Sequence, residues 1–194
     1  RDYVKENIFD PLDMTDTFYR HTEETLKRTA TQYSFVPAGN EDFDIVEAQK
    51  YGSAKEGVFK EVDKGVKHVL GEEYDSGGAG IISTVSDYVK LMAALADHGR
   101  GLTGERILSP YSVDLMRTNR LNETQQRDFN WRQLKGCGYG LGVRTHTRPD
   151  LSGLICNLGE FGWGGAAGAM LAVDPGRGLS MVYMQHMLRS PNQG

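Results

Sequence analysis

Phe161-Gly-Trp-Gly-Gly-Ala-Ala-Gly-Ala-Met-Leu-Ala-Val-Asp-Pro-Gly-Arg-Gly-Leu-Ser-Met-Val-Tyr-Met184 is the stretch from which the architecture of this chain is read. Two short apolar runs, Ala169 to Val173 and Leu179 to Met184, stand on either side of Asp174-Pro-Gly-Arg-Gly178. Proline presets the backbone for a turn and glycine tolerates conformations closed to other residues, so the runs are expected to fold back on each other as an antiparallel hairpin. Their near-continuous apolar character predicts burial on both faces, and Trp163, Gly164, Gly165 and Ala166 are expected to lie on a core strand beside this hairpin. Within the same stretch, Gly162 to Ala167 satisfies the loosest Gly-x-Gly-x-x-Ala dinucleotide pattern. A dinucleotide site needs a strand before that loop and a helix after it inside a βαβ unit, and neither is present here.

Upstream of this stretch, Gly136, Gly138, Gly140 and Gly142 alternate with Cys137, Tyr139, Leu141 and Val143. The alternation predicts a strand with one face left bare of side chains. Earlier still, Thr84-Val-Ser-Asp87 has the form of a capping box with Asp87 where Glu or Gln is usual. Tyr88, Leu91, Met92 and Leu95 then recur at helical spacing, and Gly99 supplies a stop, so an amphipathic helix is expected over Val85 to His98. Ser109-Pro110 is a second start signal, an N-cap followed by proline at the first helical position. That helix should turn Val113 and Met116 inward and end near Asn119.

The first residues, Arg1-Asp-Tyr-Val-Lys-Glu-Asn-Ile-Phe9, place Val4, Ile8 and Phe9 on one helical face with no cap before them, and Asp10-Pro11 should end that helix. A sequence that opens inside an amphipathic helix is expected to be part of a longer one. Thr29 to Val36 reads as a strand. Pro37-Ala-Gly-Asn-Glu41 supplies turn residues, and Phe43 to Val46 is its expected partner. From Gln49 to Glu73 the pattern is charged and weak, with room for one short strand. The resulting organisation is a helical and irregular segment over residues 1–135 and late strands of an α/β sheet over residues 136–194.

The 194 residues are 39% hydrophobic and 25% charged, with a net charge of −4 and no Lys/Arg block. This is the composition of a globular chain, and it argues against a nucleic-acid or anionic-membrane surface. No apolar run approaches the length of a membrane span. His21, His68, His98, His146 and His186 are scattered without metal-ligand spacing, so no metal is expected. Cys137 and Cys156 lie in or beside predicted strands with no dense cysteine framework, and are expected to be free thiols. Gly-x-Ser-x-Gly, Ser-x-x-Lys and Tyr-x-Asn are all absent.

Four segments in order carry a resemblance: Val4 to Met14, ending in Ile8-Phe-Asp-Pro-Leu-Asp-Met14; Ser76-Gly-Gly-Ala-Gly-Ile-Ile-Ser-Thr-Val-Ser-Asp-Tyr88; Gly138-Tyr-Gly-Leu-Gly-Val143; and Phe161-Gly-Trp-Gly-Gly-Ala-Ala-Gly168. Together they resemble the C-terminal portion of the class C β-lactamase and penicillin-binding-protein-like serine hydrolases, above all the esterase-like branch. The resemblance spans nearly the whole chain and is weakest between Gln32 and Glu73. It implies an α/β (α+β) fold, an antiparallel sheet with packed helices of the β-lactamase/transpeptidase type, incomplete in this chain. It also implies hydrolysis of a small-molecule ester or amide through an acyl-serine intermediate, with no metal or organic cofactor.

The family's Ser-x-x-Lys and Tyr-x-Asn would lie upstream of Arg1, and its third motif, Lys/His-Thr/Ser-Gly, corresponds here to Trp163-Gly164-Gly165. Tryptophan has no cationic head for the carboxylate of a β-lactam, and Trp-Gly-Gly is the form of ester-cleaving members. The resemblance makes the Ala166 amide one of two oxyanion donors, since backbone N–H groups stabilise the charge that acyl transfer builds on a carbonyl oxygen. Gly164 and Gly165 would let substrate approach the main chain, and Trp163 would wall the pocket. By itself the chain should be inactive, and apolar faces left uncovered should make it self-associate. A true β-lactamase or D-amino-acid peptidase is an alternative. So is a non-catalytic binding or regulatory protein on the same scaffold.

Overall fold

The computed structural model describes residues 1–38, 56–62, 74–78, 80–129, 131 and 134–188. Helix α1 (Asp2–Val4) continues as a wider π turn over Lys5–Phe9, and is followed by α2 (Glu23–Arg28), β1 (Gln32–Pro37) and β2 (Gly57–Val62). Then come α3 (Val85–Ala96), α4 (Pro110–Arg117), α5 (Glu123–Asp128), β3 (Cys137–Tyr139) and β4 (Arg144–His146). The chain goes on through α6 (Pro149–Ser152), β5 (Phe161–Gly164), β6 (Met170–Asp174), β7 (Leu179–Tyr183) and β8 (Met187–Leu188). These elements fall into two compact units, one made of Arg1–Thr17, Ser83–Gly164 and Met170–Tyr183, the other of Phe18–Ile82, Gly165–Ala169 and Met184–Gly194.

The first unit is built on a five-stranded antiparallel sheet in the order β3-β4-β5-β6-β7. The predicted hairpin is its last pair, β6 and β7, registered from Met170 opposite Tyr183 to Asp174 opposite Leu179. Helix α3 packs on these two strands. Met92, Leu95 and Ala96 from α3 and Val113 from α4 meet Phe161 and Val173, with Leu91, Met116, Leu171 and Val182 packed around them. Val113 and Met116 thus turn inward as their spacing requires. Burial on both faces does not hold: Leu179, Met181 and Tyr183 are exposed on the face away from α3. An antiparallel strand presents alternate residues to opposite sides, and the helix covers only one of them.

Thr84 caps α3 as its sequence predicts, its hydroxyl accepting from the Asp87 amide at 3.2 Å, a contact worth about 1 kcal/mol. The reciprocal half of the box is not made. The Asp87 carboxylate, buried at 4% exposure, instead accepts from the Asp16 amide at 2.6 Å and the Thr17 hydroxyl at 3.0 Å. Lys90 bonds to the other Asp87 oxygen at 3.2 Å. The residue read as part of a cap is therefore what ties the segment before α2 to α3. The helix ends at Ala96, two residues before the expected His98, which already has a left-handed φ of 51°. The opening turn behaves as read, with Phe9 buried and Val4 and Ile8 half-buried on one face.

The glycine alternation after Gly136 is corrected. It is not one strand but a hairpin, β3 and β4, paired with Cys137 opposite His146 and Tyr139 opposite Arg144. Gly142, at φ 81°, makes the turn between them, a conformation that costs glycine nothing. The bare face has a use: a Cβ on Gly140 would fall 2.0 Å from the Met116 carbonyl oxygen. The Leu141 amide donates to that same oxygen at 2.8 Å, so the end of α4 rests directly on this backbone.

The second unit holds a three-stranded sheet in the order β2-β1-β8. Strand β1 runs antiparallel to β2, from Gln32 opposite Val62 to Pro37 opposite Gly57, and parallel to β8. Strand β2 is the one short strand allowed for in the weakly patterned region, and Phe43 to Val46, the expected partner, lies outside the described residues. Phe35 and Phe59 face each other in that register with ring centroids 5.3 Å apart.

Candidate active site

Strand β5 carries the first two residues of the predicted motif. It lies in the middle of the five-stranded sheet, anchored by Phe161, which is 1% exposed. Trp163 follows, opposite Leu171 and 37% exposed, and Gly164 closes the strand opposite Met170. A chain of rings reaches Trp163 within the same unit: Phe129 lies tilted against Tyr139 at 5.4 Å between centroids, and Tyr139 meets Trp163 edge to face at 5.3 Å. Such pairs fix ring orientation beyond simple burial. The indole is thereby held with part of its surface open.

Gly165 and Ala166 are not on the strand, contrary to their expected placement beside Trp163 and Gly164 on it. They begin the turn into β6. The Gly165 amide donates to the Ala169 carbonyl at 2.8 Å and the Gly168 amide to the Gly165 carbonyl at 2.9 Å, which closes the turn. The Met187 amide donates to the Ala167 carbonyl at 2.9 Å. Ala166 is exposed, and among the described residues no hydrogen bond takes up its amide. A backbone donor needs no particular side chain, only a position in a turn where its N–H is not already used.

On the strands beside β5 lies a polar cluster that spacing did not reveal. Arg144 on β4 makes a two-pronged bond to Glu160, Nη1 to Oε2 at 2.8 Å and Nη2 to Oε1 at 3.1 Å, with both side chains nearly buried. Burial opposes the charge on Arg144, but the bonds it donates to Glu160 and the negative charge of that carboxylate outweigh it and hold the guanidinium more firmly protonated than usual. His146, fully buried, contacts the Ser152 hydroxyl through Nε2 at 2.8 Å and the Asn157 carbonyl through Nδ1 at 3.1 Å. Cys137 and Cys156 are both free, and burial pushes both thiols above the usual range. Glu160 and Arg144 are sixteen positions apart, and only strand pairing brings them together. No signal at the level of motif marks them. Among the described residues no three His, Cys, Asp or Glu side chains are grouped to hold a metal ion. Nor is any helix there long and apolar enough to cross a membrane.

The Beta-lactamase family profile matches residues 1–192, and the chain belongs to that family. Protein Rv1367c from Mycobacterium tuberculosis (strain ATCC 25618 / H37Rv) is 30% identical to it over 192 residues, which is 94% of this chain and 42% of that protein. Simvastatin synthase (LovD) from Aspergillus terreus superimposes on 98% of the chain with a TM-score of 0.73 at 22% identity, and the match takes in 46% of that enzyme. EstCE1, described as a hydrolase with promiscuous acyltransferase activity, covers 96% of the chain at a TM-score of 0.68 and 20% identity, again over 45% of its own length. The fold is that of the β-lactamase/transpeptidase class, mixed helices and antiparallel sheets, and the chain spans less than half the length of these relatives.

Proposed function

We propose that this chain supplies the late part of an acyl-transfer site that cleaves small esters through an acyl-serine intermediate. The supporting observation is the Ala166 amide, exposed and unengaged among the described residues, in the turn that follows Trp163-Gly164-Gly165. An ester carbonyl oxygen accepts that N–H, which strengthens as the oxygen gains negative charge in the tetrahedral intermediate. Trp163 offers apolar area to the acyl or alcohol group. Trp163 has no positive charge to set against a carboxylate, which favours neutral esters over β-lactam acids. The serine and lysine of Ser-x-x-Lys and the tyrosine of Tyr-x-Asn belong to a part of the protein outside these 194 residues. Alone, the chain gives no sustained turnover by this route.

The test uses a longer protein carrying this chain, assayed with a p-nitrophenyl ester and a chromogenic cephalosporin. Ester turnover is expected to exceed cephalosporin turnover. Ala166→Pro removes the N–H, and kcat should fall about 10²–10³-fold with KM nearly unchanged, the signature of a lost transition-state contact. Ala166→Gly keeps the N–H and should retain activity. Equal kcat in the proline variant, with an unaltered melting curve, would remove Ala166 from the mechanism.

A further inference from the structure

Ser152 and His146 form a pair that the reading above does not use. The Asn157 carbonyl can only accept, so its 3.1 Å contact with His146 Nδ1 places a proton on that nitrogen. In the neutral ring Nε2 is then bare. Ser152 Oγ, 2.8 Å away, donates its proton to it. This is a hydroxyl on a base whose far nitrogen is oriented by a third group, the arrangement that activates a serine. The third group is itself held, because the Asn157 side-chain amide bonds to the Asp174 carboxylate at the end of β6. The Leu154 amide donates to Ser152 Oγ at 3.2 Å, an interaction that grows as the oxygen gains negative charge.

Placement is equally defined. His146 sits on β4 with no exposure, so its ring is fixed by packing, whereas Ser152 at the end of α6 is only half-buried. Gly136 lies beneath Ser152: a Cβ there would come within 2.7 Å of the Ser152 Cβ and 2.8 Å of its amide nitrogen. Around the serine in sequence, Leu151, Leu154 and Ile155 are exposed, Ile155 fully. A reagent reaching Ser152 from solvent meets apolar side chains.

We propose that Ser152 is a nucleophile with His146 as its base, a site that accepts acyl or phosphonyl groups from activated donors bearing an apolar chain. With an ester, Oγ bonds to the carbonyl carbon as its proton passes to Nε2. The bond to the leaving oxygen then breaks, and that oxygen takes the proton from Nε2. With a fluorophosphonate, Oγ bonds to phosphorus, fluoride leaves, and the proton stays on the imidazole. All the groups lie within this chain, so the site does not depend on the Ser-x-x-Lys reading.

The 194-residue chain is treated with a long-chain alkyl fluorophosphonate, and the adduct is located by peptide mass mapping. One adduct is expected, on Ser152. It should be lost in Ser152→Ala, and His146→Gln should slow it by about 10²-fold or more, the usual share of a general base. Because a buried histidine variant risks unfolding, the native chain is also labelled in 8 M urea. There the rate should collapse to that of an ordinary serine, since the folded pair and not the local sequence makes the group reactive. A charged, short-chain analogue should label more slowly than the alkyl reagent. No adduct, an adduct on another serine, or an undiminished rate in urea would each overturn the proposal. None of these outcomes bears on Ala166, whose variants are read in the ester assay.

Discussion

The two faces of the five-stranded sheet are made by the same strands and are stabilised in different ways. On one face Phe161, Leu171, Val173 and Val182 meet Met92, Leu95 and Ala96 of α3 and Val113 of α4. By the register of the strands, Cys137, His146 and Arg144 share the other face with Ala172 and Met181. That face is polar and closed at the β3–β4 end, where Glu160 covers Arg144. At the β6–β7 end it is apolar and open, with Met170 49%, Leu179 58%, Met181 47% and Tyr183 52% exposed. The difference teaches that an apolar strand sequence says a face is fit for burial and not which partner buries it. The helix takes one side, and the far end of the other is left largely exposed.

The sharpest way to break this contrast is Phe161→Ala. Truncating a fully buried aromatic removes its transfer energy and leaves a cavity in close-packed surroundings, so a loss of about 3–5 kcal/mol is expected in urea unfolding. A loss below about 1 kcal/mol would mean that the α3-covered face is not the main core. Glu160→Ala tests the other face by a different mechanism. It strands Arg144 in a nearly buried position, which costs about 3 kcal/mol or more. The double variant Arg144→Met, Glu160→Leu should recover most of that loss, because replacing both charges by apolar groups leaves nothing unpaired. If the double variant is as unstable as the single one, the pair is holding β4 against β5 in a way that apolar packing cannot replace.

How much of this was legible beforehand differs between the faces. The covered side was readable: the Thr84 cap, the recurrence of Tyr88, Leu91, Met92 and Leu95, and the Pro175-Gly176 turn are local signals. Local signals survive because capping and turn formation involve residues a few positions apart. The other side was not. Arg144-Thr145-His146 carries no apolar periodicity, since Arg144 bonds to Glu160 and His146 to Ser152 and Asn157 through contacts set by folding. The glycines from Gly136 to Gly142 concealed a turn inside an alternation that mimics one strand. The parallel pairing of β1 with β8 joins residues more than 150 positions apart, such as Tyr33 and Met187, and no window of sequence contains both. Of the candidate site, Trp163 and Gly164 were placed on their strand by the apolar flanks, while Gly165 and Ala166 were carried past its end by the Gly165–Ala169 turn bond.

The open end of the second face yields a prediction small in stability and large in assembly. We expect the isolated chain to self-associate through this patch, as exposed contiguous apolar surface favours. Met181→Lys should leave the unfolding midpoint within about 0.5 kcal/mol of the parent, because the side chain is already half in solvent. It should move the chain toward monomer in sedimentation velocity. Unchanged assembly in the lysine variant would place the contact elsewhere.

The smallest expected effect concerns the two thiols. Burial is the largest influence on both, and it pushes each above the usual range because a thiolate is poorly solvated there. A raised pKa lowers the thiolate fraction at any pH below it, and only the thiolate attacks an alkylating reagent. Iodoacetamide at neutral pH should therefore react with both more slowly than with a solvent-exposed cysteine, and the rate should climb as pH rises past the ordinary thiol range. Cys156 is half-buried and Cys137 is 1% exposed, so Cys156 should be modified first and Cys137 only on the timescale of local opening of β3. Glu160→Ala should sharpen the order further. It removes a negative charge that raises both thiols, but it also loosens β5 against β4, and only the second change admits reagent to Cys137. Mass spectrometry of the two cysteine peptides over time separates the effects: charge removal alone speeds both in proportion, whereas loosening speeds Cys137 more. Equal rates in the parent chain would mean that the polar end of the second face is open to solvent, and the contrast between its two ends would fall.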